Sequence, residues 1–211
     1  KIILKRNITK DRMIRPADMM HQYGIRFSFQ NMMGVPTSTF NDDIETLELN
    51  IRCKPWYAWA SICTPYPDTE LYKLAEESNM LPDDYLKNIF ETYHYRSLLN
   101  IPHKLEANIL HKVFAIVVEY PELLPVIKSP EFYKDTSDER VKALKKVFDA
   151  FKDYKQEKLC NANLKEPEIV KQFVNDTLNQ NFAYDRYKFH KAATNHHIPD
   201  NTSLVPNRSG V

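Results

Sequence analysis

The chain has 211 residues, with 29 Lys and Arg against 28 Asp and Glu and a net charge of +1, a balance that excludes broad electrostatic attraction to nucleic acid or an anionic membrane. No apolar run approaches the roughly 20 residues that span a bilayer, and the first residues do not read as a signal peptide. Three cysteines argue against a disulfide framework and for a reducing, cytoplasmic compartment, while only three glycines, Gly24, Gly34 and Gly210, rule out a Gly-rich phosphate loop.

From Lys1 to about Met80 helical and strand-like segments alternate. Met13, Ala17, Met20 and His21 recur at helical spacing over 11–23, and Gly24 stands where a C-terminal cap belongs. Residues 25–33 then alternate with period two. Ile25, Phe27 and Phe29 form an apolar face, Arg26, Ser28 and Gln30 a polar one, and Gly34-Val35-Pro36 ends the strand. Ser38 or Thr39 caps a second helix, with Asp42 and Asp43 in its first turn and Phe40, Ile44, Leu47 and Ile51 on one stripe. A second strand reads from Trp56 to Cys63, apolar on both faces as a strand covered on both sides should be. Thr69 then caps a third helix that reaches about Ser78.

Beyond Leu81 the texture is helical. Leu105, Ile109, Val113, Ile116, Val117 and Tyr120 predict one helix closed by Pro121, and Pro125 and Pro130 argue against further helix before 130. Val141, Leu144, Phe148 and Phe151 predict an amphipathic helix over 138–154, and Pro167 opens a last one that ends near Leu178. Residues 181–211 read as a polar tail, mobile from 195 onward. The division is therefore 1–80, 81–180 and 181–211.

Alternating helices and strands with short loops are the mark of parallel α/β units. Two such strands alone would leave both edges open, so this segment reads as the end of a larger sheet or barrel. The missing N-terminal strands would lie upstream of Lys1, which is not Met. In a barrel, residues 26, 28 and 30 would face the lumen and the Ile/Phe face the outer helices. The active site would lie at the C-terminal ends of the strands, at 30–36 and 62–68.

At these loops the sequence resembles a known family. Gln30-Asn31-Met32-Met33-Gly34-Val35-Pro36-Thr37-Ser38-Thr39 resembles the fifth-strand segment of radical S-adenosylmethionine enzymes, usually written Gly-Leu-Pro-Gly-Glu-Thr. Tyr66-Pro67-Asp68-Thr69-Glu70-Leu71-Tyr72 is similar to their Tyr-Pro-Gly-Thr-x-Leu-Tyr stretch after the sixth strand. Leu4-Lys5-Arg6-Asn7-Ile8-Thr9 and the helical segment from His103 to Pro125 are similar to the branch that also carries a cobalamin-binding domain. The resemblance covers roughly residues 2–130.

It implies the last strands of a partial TIM-like (β/α) barrel followed by an α-helical extension. It also implies a small-molecule substrate and reductive cleavage of S-adenosylmethionine at a four-iron four-sulfur cluster, driving methyl transfer or rearrangement, with cobalamin as a further cofactor. The cluster's three-cysteine loop would lie upstream, since Cys53, Cys63 and Cys160 do not form one. By match, the adenosine contacts are Gln30, Met32, Gly34, Ala60, Ser61 and Ile62, with Gly34 allowing close backbone approach to the ligand. No catalytic or metal-binding residue is assigned within the chain. Thr37 and Ser38 replace the family's Gly-Glu, Asp68 replaces a Gly, and Asn79 stands where a Gly is common; Asp and Asn are the residues that tolerate a left-handed turn. The rival reading is a degenerate, glycine-poor barrel remnant that serves as a non-catalytic binding or scaffold module.

Other residues have plainer readings. Trp56 and Trp59 read as core packing, and Cys63 as a small buried hydrophobe near the site. His190, His196 and His197 belong to the tail rather than to a metal frame. The Asn-x-Ser/Thr sequences at Asn7, Asn175, Asn201 and Asn207 read as chance matches.

Overall fold

A computed structural model describes residues 8–92 and 96–180, the side chains of 90–92 apart. The tail, its histidines, and the sequence matches at Asn7, Asn201 and Asn207 lie outside the described residues. The fold is mixed α/β and mostly helical, around a two-stranded parallel sheet.

Helix α1 (Lys10–Gln22) starts from Thr9, whose side chain accepts the Arg12 N–H. It ends as Gly24 implies: Gly24 turns left-handed at φ 65°, and the Gly24 and Ile25 amides donate to His21 and Met20. Strand β1 (Ser28–Met33) is three residues shorter than its alternating pattern, because Ile25 stays outside the sheet and half exposed. Thr39 and Asp42 form a reciprocal capping box for α2 (Phe40–Cys53). Strand β2 (Tyr57–Ile62) pairs with β1 in parallel, Ser28 beside Tyr57 and Met33 beside Ile62. Thr69 caps α3 (Glu70–Glu77), and Asn79, at φ 54°, closes it in the same manner as Gly24 closes α1. Helix α4 (Tyr85–Thr92) follows.

The second half is built on α5 (Lys104–Glu119), whose residues 107–118 are all buried. It packs against β2, α2 and the later helix α7 (Asp138–Glu157). Such burial all round is what a central helix requires, and it explains an apolar pattern wider than one stripe. The prolines between them do not abolish helix: one-turn pieces form at 121–123, at α6 (Leu124–Ile127) and at 130–133. Pro121, Pro125 and Pro130 each sit at the start of a turn, where the missing N–H has no partner to lose. Helix α8 (Glu168–Leu178) ends the described chain, with Pro167 as its cap residue rather than its first helical one.

One large core joins both halves. Met33, Ile44, Leu47, Ala58, Ala60 and Ile62 meet α5, α7 and α8 through residues such as Val113, Phe114, Phe151 and Phe173. A smaller cluster of Ala75, Tyr85, Ile89, Leu99 and Ile101 ties α3 and α4 to the segment before α5.

The strands are not covered as β2 alone would suggest. The face of Met33, Ala58, Ala60 and Ile62 is buried, while the face of Ser28, Gln30, Met32, Trp59 and Ser61 is exposed or half-buried. Helix α7 meets this face at Tyr57, whose ring lies against Phe151. Trp56 and Trp59 are accordingly half-buried residues rather than core ones.

Candidate functional site

The candidate site lies at the C-terminal ends of β1 and β2 and on the open face below them. Since partners in a parallel pair point the same way, the register sets Gln30 beside Trp59 and Met32 beside Ser61 on one face. Gln30 is exposed, Met32 is 44% exposed, and Trp59 and Ser61 are half-buried. The Trp59 indole Nε1–H donates to Ser61 Oγ at 2.9 Å, which fixes the ring against its own strand. None of Ser28, Gln30, Met32, Trp59 and Ser61 is charged. They offer an indole, a thioether, an amide and hydroxyls, groups that stack on and hydrogen-bond a neutral ring system.

The six matched residues therefore divide. Gln30, Met32 and Ser61 share the open face. Ala60 and Ile62 point the other way and are buried at 6% and 2% exposure. Gly34 is buried just beyond β1, and a Cβ there would meet Ile101 Cδ1 at 3.1 Å and Ala107 Cβ at 3.8 Å. The close approach at Gly34 is thus made by a side chain of this protein. Trp59 belongs with the site although its sequence context reads as core; the two-residue spacing to Ser61 was the available signal.

The loop after β1 is held from beneath. The Gly34 amide donates to both carboxylate oxygens of Asp43, at 3.2 and 3.3 Å, from a residue 3% exposed. His103, at the start of α5 and also buried, places Nε2 3.3 Å from Asp43 Oδ2. Asp43 so ties the end of β1 to α2 and faces the start of α5. Ser38 Oγ donates to the Val35 carbonyl and tightens the same turn.

Three residues around the site hold left-handed backbone without being glycine: Thr37 at φ 66°, Asp68 at 65° and Asn79 at 54°. These are the three positions where the resembled family customarily carries Gly. Above β2, Tyr85 donates its hydroxyl to the Pro65 carbonyl at 2.7 Å and so pins the second loop.

Cys63 ends β2 at 1% exposure, and burial with the nearby Asp43 carboxylate pushes its thiol up to about 12. Cys53 is likewise raised by burial. Both are poor thiolates and inert nucleophiles. Among the described residues no three His, Cys, Asp or Glu side chains converge to hold a metal ion, so the residues described do not fit an iron–sulfur cluster. No residue is singled out for cobalamin. Among the same residues no helix is long and apolar enough to cross a membrane. No family model matches the chain, and no curated protein and no solved structure is significantly similar to it.

The outer edge of β2, expected to be open, is met at one carbonyl by a side chain. His111, 1% exposed, sets Nε2 2.9 Å from the Ala60 carbonyl. Its Nδ1 lies 3.0 Å from the buried Lys112 Nζ, so the ring donates to the strand and accepts from the amine. Among the described residues β1 has no strand on its other side.

Proposed function

We propose that the chain is the C-terminal portion of a radical S-adenosylmethionine enzyme of the cobalamin-binding branch, contributing the last two βα units of a partial TIM-like barrel. One observation carries this reading. The parallel pair β1–β2 buries Met33, Ala58, Ala60 and Ile62 on one face and leaves the other exposed along β1 and half-buried along β2, and Gln30, Met32 and Ser61 lie on that more open face. That is the division between outer layer and lumen in a barrel. The left-handed backbone at Thr37, Asp68 and Asn79 adds support, since it keeps the turns that glycine serves in the resembled family.

In this reading the cluster would be held outside the described residues and would supply the reductive cleavage of S-adenosylmethionine. The residues of this chain bind and orient. Trp59 presents a half-exposed ring for the adenine to stack on, and the Gln30 amide offers one donor and one acceptor to its edge. Met32 gives a polarizable apolar contact, and Asp43 holds the Gly34 turn that frames the site. No step is assigned to Cys53, Cys63 or Cys160.

The burial of Gly34 against Ile101 and Ala107 favours the second reading, a non-catalytic module whose cofactor loop has been filled by protein. Anaerobic reconstitution of the parent polypeptide with iron and sulfide separates the two. The enzyme reading expects 5′-deoxyadenosine release, with Trp59→Ala and Gln30→Ala each raising the KM for S-adenosylmethionine about tenfold through lost stacking or hydrogen bonding. Absence of S-adenosylmethionine cleavage would leave the module.

A further inference from the structure

On the helical side, away from the open face, a cleft of about 330 Å³ lies between α2, α5 and the turn at 130–133. Phe40 and Ile44 of α2, with Tyr133, form its apolar walls, and the Phe40 and Tyr133 rings meet edge-on at 5.1 Å between centroids. Glu106, Lys128 and Asn41 supply its polar groups. We propose that this cleft binds a small organic cation, an ammonium group carrying a ring or short apolar body. The proposal is independent of the function proposed above and shares no residue with the open face.

Charge decides the class of ligand. Lys128 is already neutralised, its Nζ 2.8 Å from Glu48 Oε1. The start of α2, which would otherwise attract an anion, is occupied by its own Asp42, whose carboxylate takes the Thr39 amide at 2.7 Å. Glu106 differs. It is half-buried in the first turn of α5 and makes neither a hydrogen bond nor an ion pair among the described residues. The cleft therefore keeps one uncompensated negative charge beside two aromatic rings. A cation there gains from the carboxylate and from the ring faces together, and the partly desolvated setting strengthens both. The volume is at the lower end of small-ligand sites and accepts one ring with a short amine. An anion would meet Glu106 unpaired, and a neutral ligand would leave it so.

Titrating the full chain with phenethylammonium, followed by amide NMR, tests the assignment. The expected dissociation constant is about 1 mM, ordinary for a ligand of this size, with shifts gathered in 40–44, 104–107 and 128–133. 2-Phenylethanol and 3-phenylpropionate, of similar shape but neutral and anionic, should bind at least about fivefold more weakly. Glu106→Gln should weaken phenethylammonium by a similar factor while its circular dichroism stays unchanged. Phe40→Leu, which keeps the apolar wall but removes the ring, should weaken the cation more than the alcohol. Equal affinity for the three ligands, no response to Glu106→Gln, or shifts centred elsewhere would each overturn the proposal.

Discussion

Thr37 holds φ 66° with a β-branched side chain in the turn above β1. A left-handed residue with a Cβ costs roughly 1–2 kcal/mol, whereas glycine's greater freedom in the unfolded chain costs about 0.4–1 kcal/mol. The first term is the larger, and Thr37 is exposed with little packing to lose. Thr37→Gly should therefore stabilise the protein by about 0.5–1 kcal/mol in urea unfolding; a loss of stability would mean that Thr37 has a contact this balance omits. The glycines give the opposite test. Gly24→Ala meets no atom within 4 Å and bears only the backbone cost, about 1 kcal/mol. Gly34→Ala adds a 3.1 Å encounter with the buried Ile101 and should destabilise by about 2–3 kcal/mol. Lys112 is a further point of strain. Burial, reinforced by the positive charge of Lys145, lowers its amine to about 8 against an opposing Asp149. An unfolded lysine titrates near 10.4. Between these values the unfolded chain holds a proton that the folded chain has released, so this group's contribution to stability rises with pH across that window; below pH 8 its full penalty remains. Cys63 and Cys53, raised by burial, act in the opposite direction above pH 9. Comparison with Lys112→Met isolates the lysine: the variant should be more stable by about 2 kcal/mol at pH 7, after loss of its bond to His111. That advantage should vanish by about pH 10, and a pH-independent difference would exclude the linkage.

At the scale of elements, single side chains do the work that further strands would do in a complete sheet. His111 satisfies the Ala60 carbonyl on the outer edge of β2, so a helix can lie where a neighbouring strand would otherwise be needed. Replacing it with Leu would remove the ring's bond to that carbonyl and one acceptor of Lys112. The expected loss is about 2–3 kcal/mol, read as a lower urea midpoint. The elements themselves were largely legible in the sequence, because their signals are local. Thr39 and Thr69 cap as hydroxyl residues do, Gly24 ends a helix, Asn79 keeps a turn, and period-two alternation marks β1. What was not legible depends on tertiary partners. The face of β2 with Trp59 looked fully covered because Trp and Tyr are apolar by composition, and only packing shows which of two apolar faces a helix reaches. Asp43 read as a first-turn acid of α2, its local role; that it also clamps Gly34 and faces His103 could not follow from spacing. The prolines from 121 to 130 misled for a related reason, since a residue that breaks a long helix also starts a short one well.

The whole molecule has a sealed side and an unsealed one. The large core runs without interruption from α2 through the sheet to α5, α7 and α8, so the helical half holds the strands in place and is no loose appendage. On the other side β1 presents an edge with no strand beside it among the described residues. Ser-Phe-Gln-Asn-Met-Met carries no charge and no proline, the usual devices that keep an edge from pairing with another chain. Apolar side chains on or just before it are open: Met32 is 44% exposed and Ile25 54%. An unpaired edge with exposed apolar side chains on it favours association with a partner. The 211-residue chain should therefore self-associate as its concentration rises, in sedimentation velocity, with Gln30→Lys reducing association and leaving the far-ultraviolet spectrum intact. The same measurement bears on the function proposed for the open face. If a longer parent polypeptide stays monomeric where this chain associates, its added residues cover the β1 edge, as a preceding barrel strand would. A chain that remains monomeric at every concentration, with or without Gln30→Lys, would mean that this edge needs no partner, and the barrel reading would lose its structural reason.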